Sequence, residues 1–245
     1  MAWTPAEISD LRSRGNAVAA PRNRRDAVEL SFAYGMILLA IWTPNPWRML
    51  ISLVALAWVL MATWVSFDGG CAMGLGGKGF GRSFWVVGVA LLLAAVAVVL
   101  AERLQTLHAP AYPIRFVERF WGYSIWAFLQ EFLLLDFFLL RLLRLLPDRN
   151  TAVLAAMGLL AFAHLPNPIL TVLTLFWGWA SCRLFLHYRN LYTLAMVHAI
   201  MGISIAVTIP GPLIHDMRVG SGYLTYHSHP LHGQASTQTA STQPK

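Results

Sequence analysis

Glu131, His164 and His198 are ionisable side chains carried by apolar stretches of a 245-residue chain. One carboxylate and two imidazoles suit the activation of water. A carboxylate in a low-dielectric site can take a proton from water, and imidazoles can orient that water or donate to a developing oxyanion. The same three groups could hold zinc with water in the fourth position. Their spacing is not that of His-Glu-x-x-His, so the metal reading is the weaker one and no cofactor is expected. Gln130 precedes Glu131, and Asn167 lies in the Leu-Pro-Asn-Pro break just after His164, so these two are the candidate substrate-contacting or supporting residues. Ionisable groups inside a membrane span cost at least about 2.5–3.5 kcal/mol and are functional candidates by default. Each has a plainer reading. A histidine in a span is often a hydrogen-bonding partner between helices. For Glu131 the plain reading is a buried pair with Arg141 or Arg144, but these lie about 15 and 20 Å further along the same helix. Asp136 is roughly 140° around the helix from Glu131. It is expected to face elsewhere and to pair with an arginine at the inner surface.

The elements that must position these groups follow from composition. Hydrophobic residues make up 57% of the chain and charged residues 12%, about half the charge of a soluble domain. That excludes an ordinary cytosolic enzyme, a disordered protein and a nucleic-acid-binding domain. The expected fold class is all-α, a polytopic transmembrane helix bundle of about seven to eight helices. Seven apolar stretches approach the roughly 20 residues a spanning helix needs: Ala27–Trp42, Met49–Phe67, Ser83–Ala101, Phe120–Leu140, Thr151–Leu165, Ile169–Leu186 and Leu191–Ile209. The domain reading is a basic cytoplasmic segment at 1–28, a helical bundle at 29–210 and a polar flexible tail at 211–245. No signal-peptide pattern is visible in the first 28 residues. The glycines between Gly69 and Gly81 predict a flexible second loop, and residues 102–119 read as an interfacial amphipathic segment.

The net charge is +7. With the N-terminus cytoplasmic, twelve of the 18 Lys and Arg residues fall on inside regions and six, Arg48, Arg103, Arg115, Arg119, Arg218 and Lys245, outside. That balance favours an N-in layout. Trp42, Trp47, Trp85 and Trp121 sit near span ends, as an interfacial belt requires. Cys71 and Cys182 give no disulfide framework. His215, His227, His229 and His232 could bind a metal but are better read as solvated. Gly178 predicts close packing of two helices.

Gln130-Glu131, then Phe162-Ala163-His164-Leu165-Pro166-Asn167-Pro168, then Arg189-Asn190-Leu191-Tyr192 and Val197-His198-Ala199 occur in a recognisable order. Over about residues 120–209 the chain resembles the CPBP family of intramembrane proteases, the CAAX-processing and bacteriocin-processing enzymes also called Abi proteins. The family pattern is Glu-Glu-x-x-x-Arg, Phe-x-x-x-His and His-x-x-x-Asn. Here the first glutamate is Gln130, the arginine is Leu135, the aromatic position is Leu160 and the asparagine is Gly202. Gln130 cannot act as a base. The resemblance implies an intramembrane endopeptidase in which Glu131 activates water with help from His164, and His198 stabilises the oxyanion. Its substrate would be a membrane-anchored or lipid-linked protein or peptide reached from the bilayer, with no nucleic-acid partner, in the cytoplasmic (inner) membrane of a prokaryote. Two alternatives stay open: a non-catalytic relative that binds a membrane protein partner, motivated by the Gln, Leu and Gly replacements, and a proton-coupled transporter using Glu131, Asp136 and the histidines.

Overall fold

The computed structural model describes residues 5–66, 69–70, 73–110 and 112–226. Every regular element among them is helical: α1 (Pro5–Trp42), α2 (Trp47–Val65), the short α3 (Phe80–Ser83), α4 (Trp85–Arg103), α5 (Pro113–Glu131), α6 (Leu140–Leu145), α7 (Arg149–Phe162), α8 (Pro168–Tyr188), α9 (Leu191–Thr208), and the short α10 (Gly211–Ile214) and α11 (Ser221–Leu224). A π-helical stretch, Phe132–Leu139, joins α5 to α6 without a break. The expected span 120–140 is therefore part of one longer rod. Half of the segment read as interfacial, 102–119, belongs to its first turns or to the end of α4. Four helices are long and apolar enough to cross a bilayer: Trp47–Val65, Phe80–Arg103, Pro168–Tyr188 and Leu191–Thr208; α7 is a shorter apolar helix. Their outward faces carry residues such as Trp64, 85% exposed, and Leu92, 65% exposed. Apolar cover on this scale is stable against lipid and not against water. The protein is an integral membrane protein.

Caps fix where the site-bearing helices begin. Asp148 accepts from the backbone N–H of Asn150 and of Thr151 at 2.9 Å each and so starts α7. Hydrogen bonds from Thr151 hold its exposed carboxyl below the usual range. Asn167 caps α8, with Pro168 in the first helical position where its missing N–H costs nothing. Asn190 caps α9 by accepting from Thr193 N–H at 2.9 Å. Arg189, at φ 51°, turns the chain between α8 and α9.

Helix α7 packs on α8, α1 on α2, and α9 on both α4 and α5. Gly178 lets α8 approach α7: a Cβ there would lie 3.2 Å from Met157 Cα. The glycine loop, expected to be flexible, is seated in part on the α8–α9 corner. Leu191 N–H donates to Gly74 O at 3.0 Å and Asn190 Nδ2 donates to Gly76 O at 3.2 Å. Gly74 has φ +68°, and a Cβ on Gly79 would collide with the Tyr188 carbonyl. The described part of the expected tail, residues 211–226, folds back as short helical turns. Asn167 Nδ2 donates to Ile214 O and Arg218 O, and Gly220 N–H donates to Leu165 O. Residues 227–245, with His227, His229 and His232, lie outside the described residues, as does Cys71.

Candidate active site

The π-helical stretch starts immediately after Glu131. Neighbouring helical residues point about 100° apart, so Gln130 and Glu131 serve different faces. Gln130 lines a cavity of about 1280 Å³ formed between α1, α2, the α5 rod, α7, α8, α9 and the 217–225 turns. Glu131 has no exposed surface and does not line that cavity; it faces the α8–α9 interface. There its carboxylate is held by three donors. Trp177 Nε1–H donates to Oε1 at 2.6 Å and Ser181 Oγ–H donates to Oε2 at 2.5 Å. His198 Nδ1 lies 2.7 Å from Oε1. Trp177 and Ser181 are four residues apart on α8 and so share one side of it. The Trp177 indole also meets the His198 ring edge-to-face at 5.8 Å.

A carboxylate only accepts, so His198 Nδ1 carries the proton and its Nε2 keeps the free lone pair. His164 has the same polarity. Its Nδ1 donates to Leu160 O at 2.8 Å, leaving Nε2 unprotonated. Both histidines line the cavity that Gln130 lines. The structure thus brings Gln130, His164 and His198 to one cavity and sets Glu131 behind His198, in contact with it.

Residues 113–204 match the family model described as type II CAAX prenyl endopeptidase Rce1-like. The match covers less than half of the chain but includes α5, α7, α8 and nearly all of α9, and with them every candidate residue named from the sequence. It agrees with the CPBP resemblance and supports a membrane protease role. Comparison with curated proteins and with solved structures gave no match.

Asn167, expected as a supporting donor, stands elsewhere. It is fully buried, caps α8 through Leu170 N–H, and commits its amide to the Ile214 and Arg218 carbonyls. The arginines read as partners for Glu131 serve other acids. Arg141 binds Glu29 at 2.7 Å and Arg144 binds Asp26 at 2.6 Å. Asp136 is buried, and neither of its oxygens has a hydrogen-bond partner; its expected pairing with an inner-surface arginine is not formed as a hydrogen bond. The charges of Arg189 and Glu131 reach it. Among the described residues, no three His, Cys, Asp or Glu side chains form a metal-holding group. Sequence reading missed Trp177 and Ser181 as partners of Glu131. Their signal was two hydrogen-bond donors at i and i+4, shared in α8 with Thr171, Thr174, Trp179 and Arg183, so spacing alone did not single them out.

Proposed function

We propose that the protein is an intramembrane endopeptidase that hydrolyses a peptide bond of a membrane-anchored or lipid-linked substrate. The observation that carries this reading is the Glu131–His198 pair, with His198, His164 and Gln130 lining one mostly apolar cavity of the bundle. Water in that cavity meets two unprotonated Nε2 atoms. His198 Nε2 takes the proton of the attacking water, and His164 Nε2 accepts its second hydrogen and fixes its orientation. Glu131 acts through His198, holding the tautomer and stabilising the imidazolium as the proton arrives. This moves the base from the glutamate to the histidine it backs, because water reaches the imidazole and not the carboxylate. The mostly apolar lining of the cavity suits a lipid-bearing or transmembrane peptide. The family description supports a prenylated protein as the substrate type. The excess of basic residues on one set of loops supports a cytoplasmic N-terminus, and the family resemblance supports a prokaryotic inner membrane.

Comparing new protein termini in membranes of cells carrying wild type, Glu131→Gln or His198→Ala at matched expression tests this reading. A terminus present only with wild type is expected. Glu131→Gln should lower turnover by on the order of 10⁴-fold, since an amide no longer fixes the imidazole tautomer. A non-catalytic, partner-binding role is favoured by one observation, a cavity-lining glutamine, Gln130, at the position where the family pattern has an acid. Identical termini in all three strains would select it.

A further inference from the structure

Attack on a peptide carbonyl puts negative charge on its oxygen, and a donor must already face that point. The two imidazoles do not supply one in their resting form. Each Nδ1–H is committed, to Leu160 O or to Glu131, and each Nε2 is an acceptor. The position four after His198, where an amide would stand in the family pattern, is Gly202.

That position is filled from another helix. A Cβ on Gly202 would collide with the Tyr123 hydroxyl and with its ring. The phenol of α5 therefore occupies the space that a side chain at 202 would need, one turn beyond His198 on α9. Tyr123 is seven residues, two turns, before Gln130, so both lie on one face of α5. Tyr123, Gln130, His164, His198 and Gly202 line one cavity. The hydroxyl has no hydrogen-bond partner among the described residues, and the side chain is half-buried. A phenylalanine would pack against Gly202 equally well, so packing alone does not call for the hydroxyl.

We propose that Tyr123 is a catalytic residue whose hydroxyl donates to the oxyanion, supplying from α5 what Gly202 cannot supply from α9. This rests on the hydrolysis reading above. The water oxygen bonds to the carbonyl carbon as His198 Nε2 takes its proton. The carbonyl electron pair moves onto oxygen, which accepts the Tyr123 Oη–H bond, and Tyr123 keeps its proton. Collapse restores the C=O bond and breaks C–N, and the leaving amine takes the proton from His198.

The test uses the full chain in lipid nanodiscs and a peptide spanning the cleavage site found in the termini comparison. Tyr123→Phe removes one oxygen and leaves the ring in place. The expected result is a loss of about 10²–10³-fold in kcat, with KM nearly unchanged and the unfolding midpoint kept. Tyr123→Ala should fall as far, and Tyr123→Ala with Gly202→Asn, which frees the space and returns an amide, should recover a large part. Wild-type cleavage with kcat of Tyr123→Phe within about threefold of it, against the 10²-fold or more expected for a lost donor, would overturn the assignment while sparing the hydrolysis reading. A rise in KM equal to the fall in kcat, without recovery in the double variant, would assign Tyr123 to binding and also overturn it. Absence of cleavage by wild type would remove both the hydrolysis reading and this one.

Discussion

Glu131 is the residue on which the site turns, because its carboxylate is dry and yet fully coordinated. A hydrogen bond to a charged group contributes about 1.5–3 kcal/mol, and a buried group left short of a donor costs the desolvation it no longer recovers. Ser181→Ala removes the donor to Oε2 and nothing else of size. It is expected to destabilise the protein by about 1.5–3 kcal/mol, read as a lower unfolding midpoint in detergent, and to slow turnover as Glu131 loosens its hold on His198. An unchanged midpoint would mean that the carboxylate finds another donor. The residue types in this site were legible in the sequence: an acid and two histidines in apolar spans announce themselves by cost. Their facing was not. Gln130 and Glu131 differ by 100° on one helix, and apolar neighbours on every side leave no pattern that says which of the two meets the cavity. The collision that places Tyr123 against Gly202 joins helices nearly 80 positions apart in the chain, so no local spacing reports it.

At the scale of the element, the α5 rod is held at its lower end by charge. Arg141 is 2% exposed and reaches across to α1, where Nε and Nη2 bind Glu29 Oε2 at 3.1 and 2.7 Å, and its guanidinium lies 3.8 Å from the Phe137 ring centre. Arg144 makes a two-pronged pair with Asp26 at 2.6 and 2.9 Å. Removing one partner of a buried pair costs about 3–5 kcal/mol because the other charge is stranded, whereas replacing both by apolar groups is close to neutral. Arg25 also binds Glu29, at 2.7 Å, so Arg141→Met is expected near the low end, about 3 kcal/mol. Glu29→Leu combined with Arg141→Met should recover most of that loss. Thermal unfolding of the three variants checks it, and a double variant no better than the single would show that the pair does more than neutralise itself. The sequence places α2, α4, α7, α8 and α9 nearly to their ends through apolar runs closed by Pro, Asn and Asp, but it starts α1 at Ala27 rather than Pro5 and bounds the α5 rod at 120–140 rather than Pro113–Leu145. It did not give this clasp, because the pairing of acids at 26 and 29 with bases at 141 and 144 depends on which helices are neighbours. The π-helical stretch was equally hidden: Phe-Leu-Leu-Leu-Asp-Phe-Phe-Leu is apolar all round but for Asp136, and no periodicity separates a wide turn from an α-turn.

At the scale of the whole molecule, the cavity is lined in part by a segment outside the Rce1-like match. Met217, Arg218, Val219 and Thr225 line it from the chain after α9, beside Arg48 of α2, whose Nη2 donates to Ser221 Oγ at 3.4 Å. Hydrogen bonds from several elements hold that segment down. Asn167 donates to the Ile214 and Arg218 carbonyls, Gly220 N–H donates to Leu165 O, and Ser221 Oγ donates to Ile41 O at 3.2 Å. Gly220 has φ +54°, and a Cβ there would collide with the Ile41 carbonyl. Composition read this stretch as tail because it is polar and short of apolar runs; its order comes from ties to α1 and to the α7–α8 corner rather than from a core of its own. Local opening energies track such ties. Gly220→Ala, which strains the backbone and pushes on α1, should therefore raise amide exchange across 210–226 while α9 keeps its protection. Asn167→Ala should do the same and also fray the first turn of α8, whose cap it removes at a cost of about 0.5–2 kcal/mol. Hydrogen–deuterium exchange of both variants in detergent reads the two effects separately. If exchange spreads into α9 in either variant, the segment is an integral part of the bundle rather than a cover tied onto it, and access to His164 and His198 would have to come between the helices from the bilayer side alone.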